Sequence, residues 1–214
     1  MSPLVLLIRH AAAEYKPGRL YGWTPGVHLS AGGRDEAKRL GERLEGVRLN
    51  AIYSSPLERC LETAEAVSSG RRLEIKVVEK LGEVRYGSWQ GRTFRSLAKT
   101  PLWRTVQLVP SQARFPGGGE SILELQRRGV ETIDEIRTRH RRGVVAVFSH
   151  ADMIKVILAH YLGLHLDLFQ RLNVDTASVS AVAFGMGFPR VLRIGDTGTY
   201  ESFNPPKPKR RKSS

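Results

Sequence analysis

What most limits the folds open to this chain is a succession of short apolar runs with amphipathic segments between them. The first, Leu4–Ile8 in LVLLIRHAAAE, is five apolar residues without a polar break, bounded by a polar, turn-like segment. An unbroken run of that length reads as a strand buried on both faces, as in a parallel sheet. Similar runs recur at Ala51–Tyr53, Leu73–Val78, Val144–Phe148, Ser178–Phe184 and Val191–Ile194. Most are separated by stretches of helical periodicity, an α/β alternation. One helix is expected to start from a Ser30 cap, with Ala37, Leu40 and Leu44 on its buried face. Another is expected from SPLE, with Ser55 as cap, Pro56 at the first helical position and Glu58 closing a capping box. Two more are expected over Ser121–Arg139 and Asp152–Leu162. The connection from Gly82 to Gly119, which holds YGSWQG and FPGGGES, reads as irregular. Long connections of that kind in compact domains commonly carry function.

Composition narrows the class. At 214 residues, 41% hydrophobic and 26% charged, the chain is expected to be an ordinary globular protein with one domain over residues 1–204. No apolar run approaches the length of a bilayer span. Met1-Ser2-Pro3 leads into the first strand without a leader-like segment, so a cytoplasmic location and no membrane partner are expected. Cys60 is the only cysteine, which excludes an intramolecular disulfide and any cysteine-based zinc site. The net charge of +13 invites a nucleic-acid reading. Five of those thirteen charges lie in KPKRRKSS, the last eight residues, and the other eight on residues 1–206. The segment 205–214 is expected to be a disordered basic tail with weak, nonspecific attraction to nucleic acid. The arginines of RRLEIK and RTRHRR fall on apparent helix faces, and no stretch interleaves bases with stacking aromatics. A basic body also suits an anionic substrate by raising its local concentration.

The chemistry concentrates at strand ends. Arg9 and His10 follow the first run directly, and His150 follows Val144–Phe148 in VVAVFSHADMIKVILAH. Arg59 lies in the first turns of the helix after Ala51–Tyr53. The carboxyl edge of an open α/β sheet is where ligands bind. Three strand ends from distant parts of the sequence thus bring two arginines and two histidines to one edge, a set suited to phosphate.

The segments LIRHA, SSPLERCLETAEAV, LGEVRYGSWQGRTF, FPGGGES and VVAVFSHADMIKVIL stand in the order, and with about the spacing, of the histidine phosphatase superfamily, phosphoglycerate-mutase-like branch. The chain resembles that family from Leu4 to Ile194. The resemblance implies a three-layer α/β/α sandwich with a mostly parallel central sheet, and phosphoryl transfer through a phosphohistidine without a metal or other cofactor. It implies His10 as nucleophile, Arg9, Arg59 and His150 as the phosphate pocket with the Ala151 amide beside them, and Glu83 as the acid that protonates the leaving oxygen. Chemistry asks for the same properties: a neutral His10 with one nitrogen tied by a hydrogen bond, and a Glu83 held protonated by an apolar shell such as Trp89 or Tyr86. Ala11 and Ala13 stand where the family commonly has glycine and a hydroxyl residue. The first is tolerable at negative φ, and the second removes a hydroxyl that could bond the phosphate or an arginine.

Other features read as structural. His160 and His165 are five apart, wrong for a helical metal pair. His28 reads as a solvated loop residue near the pocket mouth, Cys60 as packing. GGG at 117–119 lacks the Lys-Ser/Thr of a P-loop and reads as letting its loop pass close to substrate. The function expected is hydrolysis of a small anionic phosphate monoester. A bisphosphoglycerate-dependent mutase is the alternative, disfavoured because only 32 positions separate Glu83 from Phe115, where mutases of the family carry a long insertion. An inert phosphate-binding module is a further alternative, against which the retained Glu83 stands.

Overall fold

A computed structural model describes residues 3–185 and 187–198, so the basic segment 205–214 lies outside the described residues. Six strands form one sheet: β1 (Leu4–Arg9), β2 (Leu49–Ser54), β3 (Ile75–Val77), β4 (Val144–Ser149), β5 (Val179–Phe184) and β6 (Pro189–Asp196). Their order is β3-β2-β4-β1-β5-β6. Strands β1 to β4 pair in parallel, and β5, antiparallel to both β1 and β6, is the one reversed strand. The helices are α1 (Ala31–Arg43), α2 (Glu58–Ser68), α3 (Phe94–Leu97), α4 (Pro101–Leu108), α5 (Ile122–Arg139) and α6 (Ala151–Leu162). Among the described residues no helix is long and apolar enough to cross a membrane.

The layers follow from side-chain alternation along the strands. Val5 and Leu7 of β1 join a core with Leu125 and Ile133 of α5 and Ile154 and Ile157 of α6. Leu6 and Ile8 join a second core with Ala37 and Leu40 of α1 and Ala64 and Val67 of α2. Both faces of the sheet are therefore covered, giving the three-layer α/β/α arrangement. The chain leaves β1 toward the α1 face and leaves the adjacent β4 toward the α6 face. Connections that diverge between neighbouring strands open a crevice at the strands' carboxyl ends.

Three local expectations need correction. The capping box at SPLE does not form: α2 begins at Glu58 behind Leu57, with no side-chain cap. The Ser55 amide instead continues the sheet, donating to the Phe148 carbonyl at 2.9 Å, and its hydroxyl faces His150 at 2.8 Å. The capping box lies at α5, where Ser121 and Glu124 bond reciprocally. RRLEIK is not on a helix face either; it leads into β3, and Arg71 donates to the carbonyls of Leu44, Val47 and Val67, tying the ends of α1 and α2 together. Within 82–119 the short helices α3 and α4, with 3-10 turns at Gly87–Trp89 and Pro110–Gln112, are regular pieces that periodicity over so few residues does not reveal.

Candidate active site

The sheet itself fixes the first site residues. Beyond the end of β1 the His10 amide donates to the Ser149 carbonyl at 3.0 Å, so His10 is held against β4 as though the ladder continued. His150 caps α6 with an extended backbone, and its ring meets that of His10 edge-on at 5.2 Å between centroids. Arg59, on the first turn of α2, donates through Nη2 to the Gly22 carbonyl at 2.8 Å and to His150 Nδ1 at 3.2 Å. Arg9 donates through Nη1 to the Val174 carbonyl at 2.8 Å.

Electrostatics sorts the roles these groups can fill. His10 Nδ1 lies 2.7 Å from the Ala11 carbonyl, which can only accept, so the proton sits on Nδ1. Its Nε2 makes no hydrogen bond among the described residues and, with the proton on Nδ1, carries the lone pair. Burial and then the Arg59 charge hold the His10 pKa well below the usual imidazole range, so the ring is neutral. Burial and Arg59 do the same to His150, whose Nε2 donates to Ser55 Oγ while Nδ1 accepts from Arg59. Neither Arg9 nor Arg59 pairs with a carboxylate among the described residues. Arg9 Nε and Arg59 Nε and Nη1 are enclosed without a partner. A buried cation, Arg59, and a half-buried one, Arg9, both with spare enclosed donors, are costly unless an anion completes them.

A cavity of about 440 Å³ opens beside these groups, lined by Arg9, Arg59, Glu83, Ala151 and Asp152 among others. His10 and His150, 3% and 0% exposed, lie behind that lining. Burial raises the Glu83 pKa to about 7, and the charge of Asp152 adds to it. Asp152 accepts from the Tyr86 hydroxyl at 3.1 Å. The Glu83 carbonyl is pinned by Trp23 Nε1 at 2.6 Å and Arg128 Nη2 at 2.8 Å, and Arg128 is itself clamped by Glu120.

Asp152, Trp23 and the Glu120–Arg128 pair escaped the sequence reading. Asp152 looks like an acid favouring a helix N-terminus, and Arg128 like one more solvated helix face. Glycines 117 and 119 do not approach the cavity: space for a side chain at Gly117 is closed by Ser88, and at Gly119 by Phe115 and the Arg85 carbonyl. They let two loops pass each other, and Phe115 lines the cavity. His28 pairs with Glu62 and is 58% exposed. Cys60 is fully buried, and burial raises its thiol to about 12, as expected of packing. Ala11 adopts no positive φ, and its amide donates to Thr63 Oγ1 at 3.0 Å, so the replacement of glycine is accommodated.

Comparison with known proteins agrees with this geometry. The profile of the histidine phosphatase superfamily (branch 1) matches residues 5–197. Phosphoserine phosphatase 1 of Hydrogenobacter thermophilus is 31% identical over 180 residues, 83% of this chain and 85% of that protein. The adenosylcobalamin/alpha-ribazole phosphatase of Escherichia coli is 26% identical over 189 residues, covering 88% and 93%. The solved structure of Bacillus stearothermophilus YhfR superposes with a TM-score of 0.85 at 31% identity, covering 91% of this chain and 98% of the other.

Proposed function

The chain belongs to the histidine phosphatase superfamily, and from that premise we propose that it hydrolyses phosphate monoesters of small metabolites through a phosphohistidine on His10, without a metal. The observation that carries the reading is a neutral, singly tethered His10 beside two arginines that have no carboxylate partner among the described residues. Arg9 and Arg59 neutralise the phosphate dianion and line it up, as a metal would otherwise do. The Ala151 amide, in the first turn of α6, adds a donor at a helix N-terminus. An arriving dianion draws the Arg59 guanidinium off His150 Nδ1 and offsets its charge, so that nitrogen takes up a proton from solvent and donates to a phosphate oxygen.

The bond sequence then closes. His10 Nε2 attacks phosphorus as the ester P–O bond breaks, and Glu83 gives its proton to the departing alkoxide. The resulting Glu83 carboxylate takes a proton from water, whose oxygen attacks the phosphohistidine. Phosphate leaves and both residues return to their starting forms. The relatives named for phosphoserine and alpha-ribazole phosphate act on small phosphorylated metabolites, which supports that substrate class here; the cytoplasmic location belongs to the same proposal. Hydrolysis is favoured over mutase chemistry by the short connection between Glu83 and Phe115.

The test gives purified protein a panel of phosphorylated metabolites with a chelator present, reading phosphate and isomerised ester in parallel. Phosphate release that withstands the chelator and is blocked by vanadate is expected. Isomerised ester without free phosphate would make the protein a mutase, and loss of turnover with the chelator would overturn metal independence.

A further inference from the structure

Resting on the reading above, we propose that the alcohol part of the substrate carries a planar aromatic group, which lies along a wall of rings running from the acid to the cavity mouth. Of the eight aromatic residues that line the cavity, five form an unbroken chain of ring contacts. Tyr86, which donates to Asp152, meets Phe115 edge-on at 4.9 Å. Phe115 meets Trp89 at 5.4 Å, Trp89 lies tilted toward Trp103 at 6.3 Å, and Trp103 reaches Phe94 at 6.1 Å. Tyr86, Phe115 and Trp89 are buried, whereas Phe94 at the outer end is 41% exposed. Rings at such separations attract through their quadrupoles in edge-to-face and offset arrangements. A planar unsaturated guest would meet the same pattern that these rings present to one another.

The distribution of charge points the same way. An alcohol bearing a carboxylate, as in phosphoserine, calls for a cation beside the leaving oxygen. The lining cations are Arg9 and Arg59, committed to the phosphate end, and Lys16 and Arg19 on the exposed rim segment. Arg85 and Arg128, near the acid, are paired with Glu79 and Glu120. The aromatic wall carries no charge, and the volume of about 440 Å³ lies in the range of pockets that take organic ligands well beyond three carbons.

Three esters with the same kind of alkoxide leaving group keep the demand on Glu83 constant: 2-naphthylethyl phosphate, cyclohexylethyl phosphate and O-phosphoserine. We expect kcat/KM for the naphthyl ester to exceed that for phosphoserine on the order of 10²-fold, from apolar burial. It should exceed the cyclohexyl ester about 3- to 10-fold, from ring contacts. Phe94→Ala, at a solvent-facing position, and Trp103→Ala should each narrow the naphthyl-to-phosphoserine ratio about 10-fold, chiefly through KM. Preference for phosphoserine, equal use of the naphthyl and cyclohexyl esters, or ratios unmoved in both variants would each overturn the aromatic assignment while leaving the phosphatase reading intact. Failure to hydrolyse any of the three would instead defeat the reading beneath it.

Discussion

As the proposed general acid, Glu83 must hold a proton at a pH where most carboxyls have lost theirs, and its surroundings favour that form. Burial removes the water that would stabilise the carboxylate, and Asp152 adds a like charge. The acid form therefore prevails below about 7 and is lost as pH rises through that value. His10, its pKa held low, stays neutral well into acid. Turnover of an alkyl phosphate should thus be level in mild acid and fall as pH climbs past about 7. Glu83→Gln should slow that ester by about 10²–10⁴-fold, the range of general acid catalysis. In the first turnover, which reads attack by His10 alone, a nitrophenyl ester, which leaves as a stable phenolate, should lose much less and lack the alkaline fall. Equal first-turnover losses on both esters would mean that Glu83 positions the phosphate, and that another carboxylate, such as Glu14, donates the proton.

At the scale of elements, the loop after His10 is held by how tightly α1 packs on it. A side chain at Gly33 would sit 1.7 Å from the Ala12 carbonyl oxygen, two residues past His10, whereas at Gly32 nothing lies within 4 Å. The two neighbouring glycines should therefore respond to alanine with opposite signs. Gly32→Ala gains helix propensity and should stabilise by a few tenths to about 1 kcal/mol. Gly33→Ala must displace either α1 or the loop and should destabilise by about 1–3 kcal/mol, with turnover reduced as well. Urea unfolding of the two variants checks both signs, and a stabilised Gly33→Ala would show that α1 is free to move. Much at this scale was legible in the sequence. The strands announce themselves by unbroken apolar runs, the Ser30 cap and the α5 and α6 spans by periodicity, and the strand-end location of Arg9, His10 and His150 by topology. What was hidden is tertiary. Ser55 has the composition of a cap, but its amide is consumed by the sheet and its hydroxyl by His150. Asp152 has the composition of a dipole-favouring acid, and only the fold sets it beside Tyr86 and the acid-bearing loop.

For the whole molecule, the sheet order gathers chemistry that the sequence scatters. Because β4 inserts between β2 and β1, the residues following three strands meet at one crevice, and the divergence of α1 and α6 keeps it open. In the proposed mechanism a net positive body draws anions toward that crevice, and Arg59 and the half-buried Arg9 hold the phosphate for displacement. The proposed mechanism then turns on one atom, Nε2 of His10, becoming covalently bound to phosphorus. The direct measurement is to quench wild-type protein with a radioactive phosphate donor during turnover and follow the label on the chain beside His10→Ala, with circular dichroism showing that both are folded. A label that is labile in acid and stable in base should appear on wild type and vanish in His10→Ala, together with phosphate release. Label that persists at another residue in His10→Ala, or turnover that survives the substitution, would contradict phosphoryl transfer through His10.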